Sequence, residues 1–469
     1  MALGKRKTRR QQEFWVQTEK LQTGPAHIFY DRLNKLLAEI DFDERVEQLC
    51  APYYADNRGR PGIPPGVFFR MIFIGYFEGL NSHRGIAWRC QDSLSLRRFL
   101  GIPLEEKTPD HSSVSRIHRL LDLPVFEAVF AMVLELAQDH KLLKGKSIGV
   151  DSTFVEANAA MKSIVRKDSG EDWKQYIITV MRAEGLLGED EEPSDDELRR
   201  FDKSRKNKKV SNQDWQSETD EDARIMRMKN GTTHLAYKAE HAVDLETEVV
   251  VHAEIYHADD HDTKTLEPTL DATQQQLTDV SDAQKEIKRV VADCGYHSVE
   301  TIADLTVGTQ EPVETYIPEK KLRGPRNTDN LARYEIDALE RSQKNQKSKL
   351  GQKLQRARSH LVEQSFAHLC DTGGTRRMHL RGLEQVNKRY KLVTAARNLG
   401  SILRKIFGLG KPRSGMGWQA LRVTWKLLFS LSGRQRTANA PGNRLCFAKS
   451  LQSSLLSLNH SKWYFTTGC

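Results

Sequence analysis

Cysteine is scarce and unpatterned in this chain. Six residues (Cys50, Cys90, Cys294, Cys370, Cys446 and Cys469) are scattered along it with no C-x-x-C pair. That argues against a disulfide framework or a cysteine-ligated zinc site, and it fits reduced thiols in a cytosolic protein. Long apolar runs are missing too. The most apolar run near the end, residues 425–431, is interrupted by Lys426 and is far too short to span a bilayer, so no membrane anchor is expected. The N-terminus carries charges without an apolar stretch, so no secretory signal is expected. Neither a G-x-G-x-x-G nor a Walker A phrase occurs, which argues against a doubly wound nucleotide-binding fold.

What is present is positive charge: 72 Lys and Arg against 63 Asp and Glu, a net +9 over 469 residues. That balance suggests a polyanionic partner, nucleic acid first. The length suits two or three domains with a sizeable core. Residues 1–24 form a basic arm with Lys5, Arg6, Lys7, Arg9 and Arg10, expected to be solvated. Residues 25–140 read as helical. Apolar residues recur at helical spacing from 26 to 49, and Pro65 can start a strongly apolar helix over 67–80. Thr108-Pro109 reads as a cap and first turn of another. This part is either a helix-turn-helix-like DNA reader or a bundle packed on its neighbour.

Residues 141–412 read differently. A short strand ends on Asp151, patterning fails over about 161–230, and β-rich runs at 234–243 and 248–255 form a hairpin. A helix over 263–277, a strand over 290–293 and an extended segment at 314–318 come next. This order fits a mixed α/β sheet flanked by helices. Five histidines near the hairpin (His234, His241, His252, His257, His261) are explained by strand alternation and a solvent-facing loop more cheaply than by a metal. Residues 413–469 form a Gly- and Ser-rich tail with no functional reading.

Three carboxylates stand out. Asp151 ends Ser147-Ile148-Gly149-Val150, Asp293 ends Arg289-Val290-Val291-Ala292 before a Gly turn, and Glu363 lies in the helix-like phrase Leu361-Val362-Glu363-Gln364-Ser365-Phe366-Ala367-His368. Each has an ordinary role open to it: a cap for Asp151, a turn for Asp293, a solvated face for Glu363. As a set they suit phosphodiester chemistry. Two divalent ions about 3.5–4 Å apart activate one oxygen and stabilise another, and a few carboxylates suffice for Mg²⁺.

The phrases resemble those of transposases of bacterial insertion sequences, whose RNase H-like DDE domains carry Asp, Asp and Glu in this order. The family's "ADKGYHS" is matched around Asp293 and its "VERSFAH" around Glu363. The resemblance spans roughly residues 55–412 and continues through Asp371 to Gly382. It implies an RNase H-like mixed sheet after an all-α N-terminal domain. Asp151, Asp293 and Glu363 would be catalytic and would ligate two Mg²⁺ or Mn²⁺ ions. Arg356, Arg358, Arg376, Arg377, Arg381, Lys388 and Arg389 would bind double-stranded DNA, both terminal inverted repeats and target. It further implies a homodimer on DNA and a bacterial, cytoplasmic, nucleoid-associated setting. Gln364 replaces the family's usual Arg and Cys294 its usual Lys, which leaves open a weakly active copy. Glu384, with Arg381 before it and Lys391 after it, competes with Glu363 for the third position. A nuclease or resolvase that stops at cleavage, and a non-catalytic DNA binder, are the alternatives.

Overall fold

The computed structural model describes residues 27–54, 62–188, 190–205, 211–228, 230–281, 285–307, 312–319, 330–410 and 412. The basic arm, the tail and residues 320–329 of the basic stretch lie outside the described residues.

Seven helices come first: α1 (Ile28–Glu39), α2 (Phe42–Cys50), α3 (Pro65–Glu78), α4 (His83–Asp92), α5 (Leu94–Phe99), α6 (His111–Leu120) and α7 (Leu123–Asp139). The single period expected over 26–49 is cut in two at Asp41, whose left-handed backbone (φ 47°) turns the chain. Pro65 does begin α3, and Gly79 (φ 72°) ends it in the left-handed conformation that suits glycine. The expected start at Thr108-Pro109 is corrected: Asp110 caps α6, its carboxylate accepting from the Ser112 amide at 2.8 Å. An acid satisfies an orphan amide that Pro109 leaves untouched. α3 is buried nearly all round. Phe68, Phe69 and Phe73 each contribute about 1.5–3 kcal/mol by burial.

The sheet region comes next, in the order β1 (Ser147–Glu156), β2 (Ile164–Arg166), α8 (Trp173–Ala183), α9 (Asp195–Ser204), β3 (Trp215–Ser217), β4 (Arg224–Arg227), β5 (Thr233–Asp244), β6 (Val250–His257), α10 (Asp262–Val280), β7 (Arg289–Val291), α11 (Val299–Val307), β8 (Glu314–Tyr316), α12 (Arg333–Lys347), α13 (Lys349–Ala367) and α14 (Leu383–Phe407). β5 pairs antiparallel with β1, and on its other edge with β6 and β4. β1 pairs parallel with β7, and β7 with β8. The result is a mixed sheet flanked by helices, preceded by a helical region, as the RNase H-like reading implied.

Alternation along β5 assigns the two faces. Lys238 and Glu240 point to α10, through Thr265 and Thr269, while His241 points to α13 and α14, through Ser365 and Tyr390. The unpatterned stretch 161–230 holds more structure than its composition suggested. Ile177, Met181 and Leu198 of α8 and α9 make a small core of their own, and capping boxes at Asp172 and Ser194 start both helices. A core of three residues leaves little periodic signal. The N-terminal helices and the sheet share one hydrophobic core, joined by α14 packed between α7, α3 and β6.

Candidate active site

Gly149 sets how closely α13 lies on the sheet. A Cβ there would sit 3.2 Å from Val362 Cγ2 and 2.6 Å from Leu245 Cδ2, so a side chain would press on both the helix and Leu245. Asp151, two residues on, faces the same side. Its Oδ2 lies 2.6 Å from Nη1 of Arg358, one turn before Val362, and its Oδ1 accepts from the Ser152 amide at 2.8 Å. Across the antiparallel pair stands His241. Its ring is fully buried, stacked 4.0 Å from Phe366, with Nδ1 on Ser365 Oγ (2.7 Å) and Nε2 on Tyr390 Oη (2.8 Å). Both nitrogens are therefore spoken for, and burial holds the imidazole neutral, its pKa well below the usual value.

Asp293 lies two residues past the end of β7, the strand that pairs with β1. β1 and β7 pair Ser147 with Arg289, Ile148 with Val290 and Gly149 with Val291. Carried two residues further, that register sets Asp151 opposite Asp293, with parallel strands about 4.8 Å apart. Gln355 of α13 fixes the helix over these ends by donating to Ala292 O (3.0 Å) and Tyr316 O (2.6 Å). Asp293 Oδ1 accepts from the Gly295 amide at 2.7 Å. A Cβ on Gly295 would meet Asp262 Oδ2 at 2.6 Å and Asp293 Oδ1 at 2.9 Å, so two carboxylates flank one small space.

Asp262 is the residue that sequence reasoning missed. It opens α10, where an acid ordinarily serves the helix dipole, and only folding joins it to Ser152 Oγ (3.1 Å) and to Lys238 Nζ (2.8 Å). Behind it lie the buried Lys238 and Glu240, 3.3 Å apart. Glu240 also accepts from Thr265, Thr269 and Tyr296.

Glu363 stands elsewhere. It is exposed on α13, accepts from Ser359 Oγ at 3.1 Å, and lies a turn beyond the arginine that meets Asp151. Glu384 is also exposed and is paired with Lys388 at 2.5 Å. Among the described residues no three acidic, histidine or cysteine side chains converge as a metal-holding group.

The basic residues divide. Arg376, Arg377 and Arg381 are exposed beside the far end of β1. Glu156 exchanges backbone hydrogen bonds with Arg376 O (3.0 Å) and the Met378 amide (2.8 Å), and Arg381 donates to Asn158 O (3.2 Å). Arg356 is exposed on α13. Lys388 and Arg389, expected to bind DNA, require a correction because both are buried. Lys388 lies over the Phe126 ring as well as on Glu384, and Arg389 donates to Leu80 O at 3.4 Å. Burial lowers the Arg389 pKa to about 10. α14 is enclosed on both sides, so its cations satisfy interior acceptors where an amphipathic surface helix would expose them.

Hard carboxylate oxygens on β1 and just past β7, and the space beside Gly295 that a Cβ would fill, fit a divalent ion that keeps several of its waters. A mixed sheet with acids on β1 and just past β7 is compatible with metal-assisted phosphoryl transfer. The comparisons make it specific. Residues 150–399, more than half of the chain, match the family described as Transposase DDE domain, and residues 17–120 match Transposase domain (DUF772). The chain belongs to the DDE transposases of insertion sequences: it is a DNA transposase, a DNA-cleaving enzyme of a family that generally uses divalent metal ions. No curated protein and no solved structure matches it. No described helix is long and apolar enough to cross a membrane.

Proposed function

We propose that this transposase cuts at the terminal inverted repeats of a mobile element and joins the freed 3′-OH ends to target DNA, with Asp151, Asp293 and Glu363 as its catalytic residues. The observation that best supports the assignment is the β1–β7 register, whose last pair, Gly149 with Val291, stands two residues before the first two carboxylates. Asp151 and Asp293 would hold the metal, and Glu363, which stands apart from them on α13, would complete the ligand set. When bound, divalent ions supply a more acidic water or hydroxyl and relieve charge on the phosphorane-like state. Arg376, Arg377 and Arg381 hold the DNA backbone near the far end of β1, where exposed guanidinium groups can take phosphates in pairs of hydrogen bonds. Gln355 positions α13 over the strand ends. The working form is a homodimer assembled on two DNA ends.

The test uses full-length protein with labelled DNA bearing the inverted repeats that flank its gene, plus a plasmid target. Metal-dependent nicking at the repeat ends, then joining to the plasmid, supports the reading. Cleavage without joining reduces it to a nuclease, and neither activity in an intact, DNA-binding protein sinks it.

A further inference from the structure

At the opposite ends of β1 and β7 lies a polar feature with no part in the proposed chemistry. A hollow of about 290 Å³ opens there, lined by Lys141, Lys144, Lys146, Lys285 and Lys288, with Glu286 the one acid among the described residues of its lining. The register that sets Asp151 opposite Asp293 also sets Lys146 beside Lys288, whose amide donates to Lys146 O at 3.0 Å. Five lysines against one acid in the described lining favour an anion in the hollow.

Two further observations point the same way. Lys141 comes directly after α7 in a left-handed conformation (φ 60°), closed by Leu142 N to Ala137 O at 2.8 Å. That is the helix-ending position where glycine is unstrained, so a side chain is kept there at a conformational cost. Lys285 is half-buried with its ammonium on Gln138 Oε1, and burial together with Lys144 lowers its pKa. Lys141 follows the α7 C-terminus and Lys285 reaches Gln138 in its last turn, but Lys144, Lys146 and Lys288 come from the β1 and β7 approaches, so the helix dipole does not account for the whole group.

We infer that this lysine hollow seats a short run of backbone phosphates of duplex DNA, on a segment other than the one being cut. It lies about 16 Å along β1 from Asp151. The inference rests on the reading of this chain as a DNA-acting transposase. Four of the five lysines are exposed, and mobile ammonium groups around an open hollow suit a sequence-independent phosphate contact better than a buried small-molecule site.

The experiment measures binding of full-length protein to a labelled random-sequence duplex in excess chelator, across a salt series. The variant Lys144→Gln/Lys146→Gln/Lys288→Gln is expected to lower the slope of log K against log salt by roughly 2–3, about one for each lost phosphate contact, and to weaken binding at least about tenfold near 0.1 M salt. The matching Lys→Arg variant retains the wild-type slope. An unchanged slope in the Gln variant overturns the inference. So does a melting-temperature rise with inorganic phosphate that the Gln variant loses while its DNA slope stays unchanged, since that marks a free-phosphate site. If the triple variant fails to fold by circular dichroism, Lys146→Gln alone carries the test with a fall of about one. No cleavage occurs in chelator, so failure of Asp151 and Asp293 as catalytic residues would show separately, as wild-type protein inert with Mg²⁺.

Discussion

Arg358 Nη1 lies 2.6 Å from Asp151 Oδ2, so the carboxylate proposed to hold metal carries a guanidinium instead. The pair is mostly buried, at 12% and 18% side-chain exposure, and is screened less than a surface ion pair. A divalent ion must therefore compete with Arg358 for the same oxygens. Arg358→Ala is expected to tighten Mn²⁺ binding in DNA-free protein by roughly 3–10-fold, corresponding to about 1 kcal/mol of released competition. Electron paramagnetic resonance of free Mn²⁺ reads this directly. Equal affinity in both proteins would show that the arginine does not guard the site.

Asp151→Asn and Asp293→Asn keep side-chain shape and remove ligand charge. Each is expected to lower Mg²⁺-dependent nicking of end DNA by about 10²–10³-fold or more, on the scale of losing one electrostatic partner of the transition state. DNA binding in gel-shift assays should be largely retained. Loss of binding in step with nicking would assign these acids to structure.

The third carboxylate is tested by a pair of substitutions. Glu363→Gln is expected to eliminate metal-dependent cleavage. Glu384→Gln removes only an exposed partner of Lys388 and retains a substantial part of it. The reverse outcome would move the site to Glu384.

Glu240 is fully buried and serves Lys238, Thr265, Thr269 and Tyr296 together. Glu240→Ala leaves three hydroxyls and an ammonium without that acceptor and is expected to cost about 3–5 kcal/mol in urea unfolding. Glu240→Gln keeps an acceptor oxygen and should cost clearly less. Equal losses would mean that volume, not hydrogen bonding, sets the effect.

Two buried imidazoles make stability depend on pH. Burial first, with Lys391 beside His252 and with His83 near His118, lowers both pKa values to about 3. An unfolded imidazole takes its proton near 6.5. Between these values the unfolded chain binds more protons, so stability is full above about pH 6.5 and falls towards pH 3. At pH 5 each group removes on the order of 2 kcal/mol. His118→Gln and His252→Gln, if they fold, should flatten the fall in melting temperature between pH 7 and 5. An unaltered profile would place the acid sensitivity elsewhere.

Sequence alone determined the features that local chemistry sets. The apolar run after Pro65 gave a buried helix, the alternating runs around Asp244 gave the β5–β6 hairpin, Asp293 follows β7 and Glu363 lies on α13. The strand expected to end on Asp151 instead runs on to Glu156, because β5 pairs with it that far. Periodicity and turn residues act within a few positions, so one chain suffices to read them. Tertiary structure decided which side chains meet. The parallel register of β1 and β7 set Gly149 beside Val291, two residues before Asp151 and Asp293, and at the other end put the Lys288 amide on Lys146 O. Packing of α13 on Gly149 put Arg358, not Glu363, against Asp151. Enclosure of α14 buried Lys388 and Arg389, which composition had placed on the surface. These pairings join residues far apart in sequence, where no local preference operates, and only the assembled sheet and its covering helices fix them.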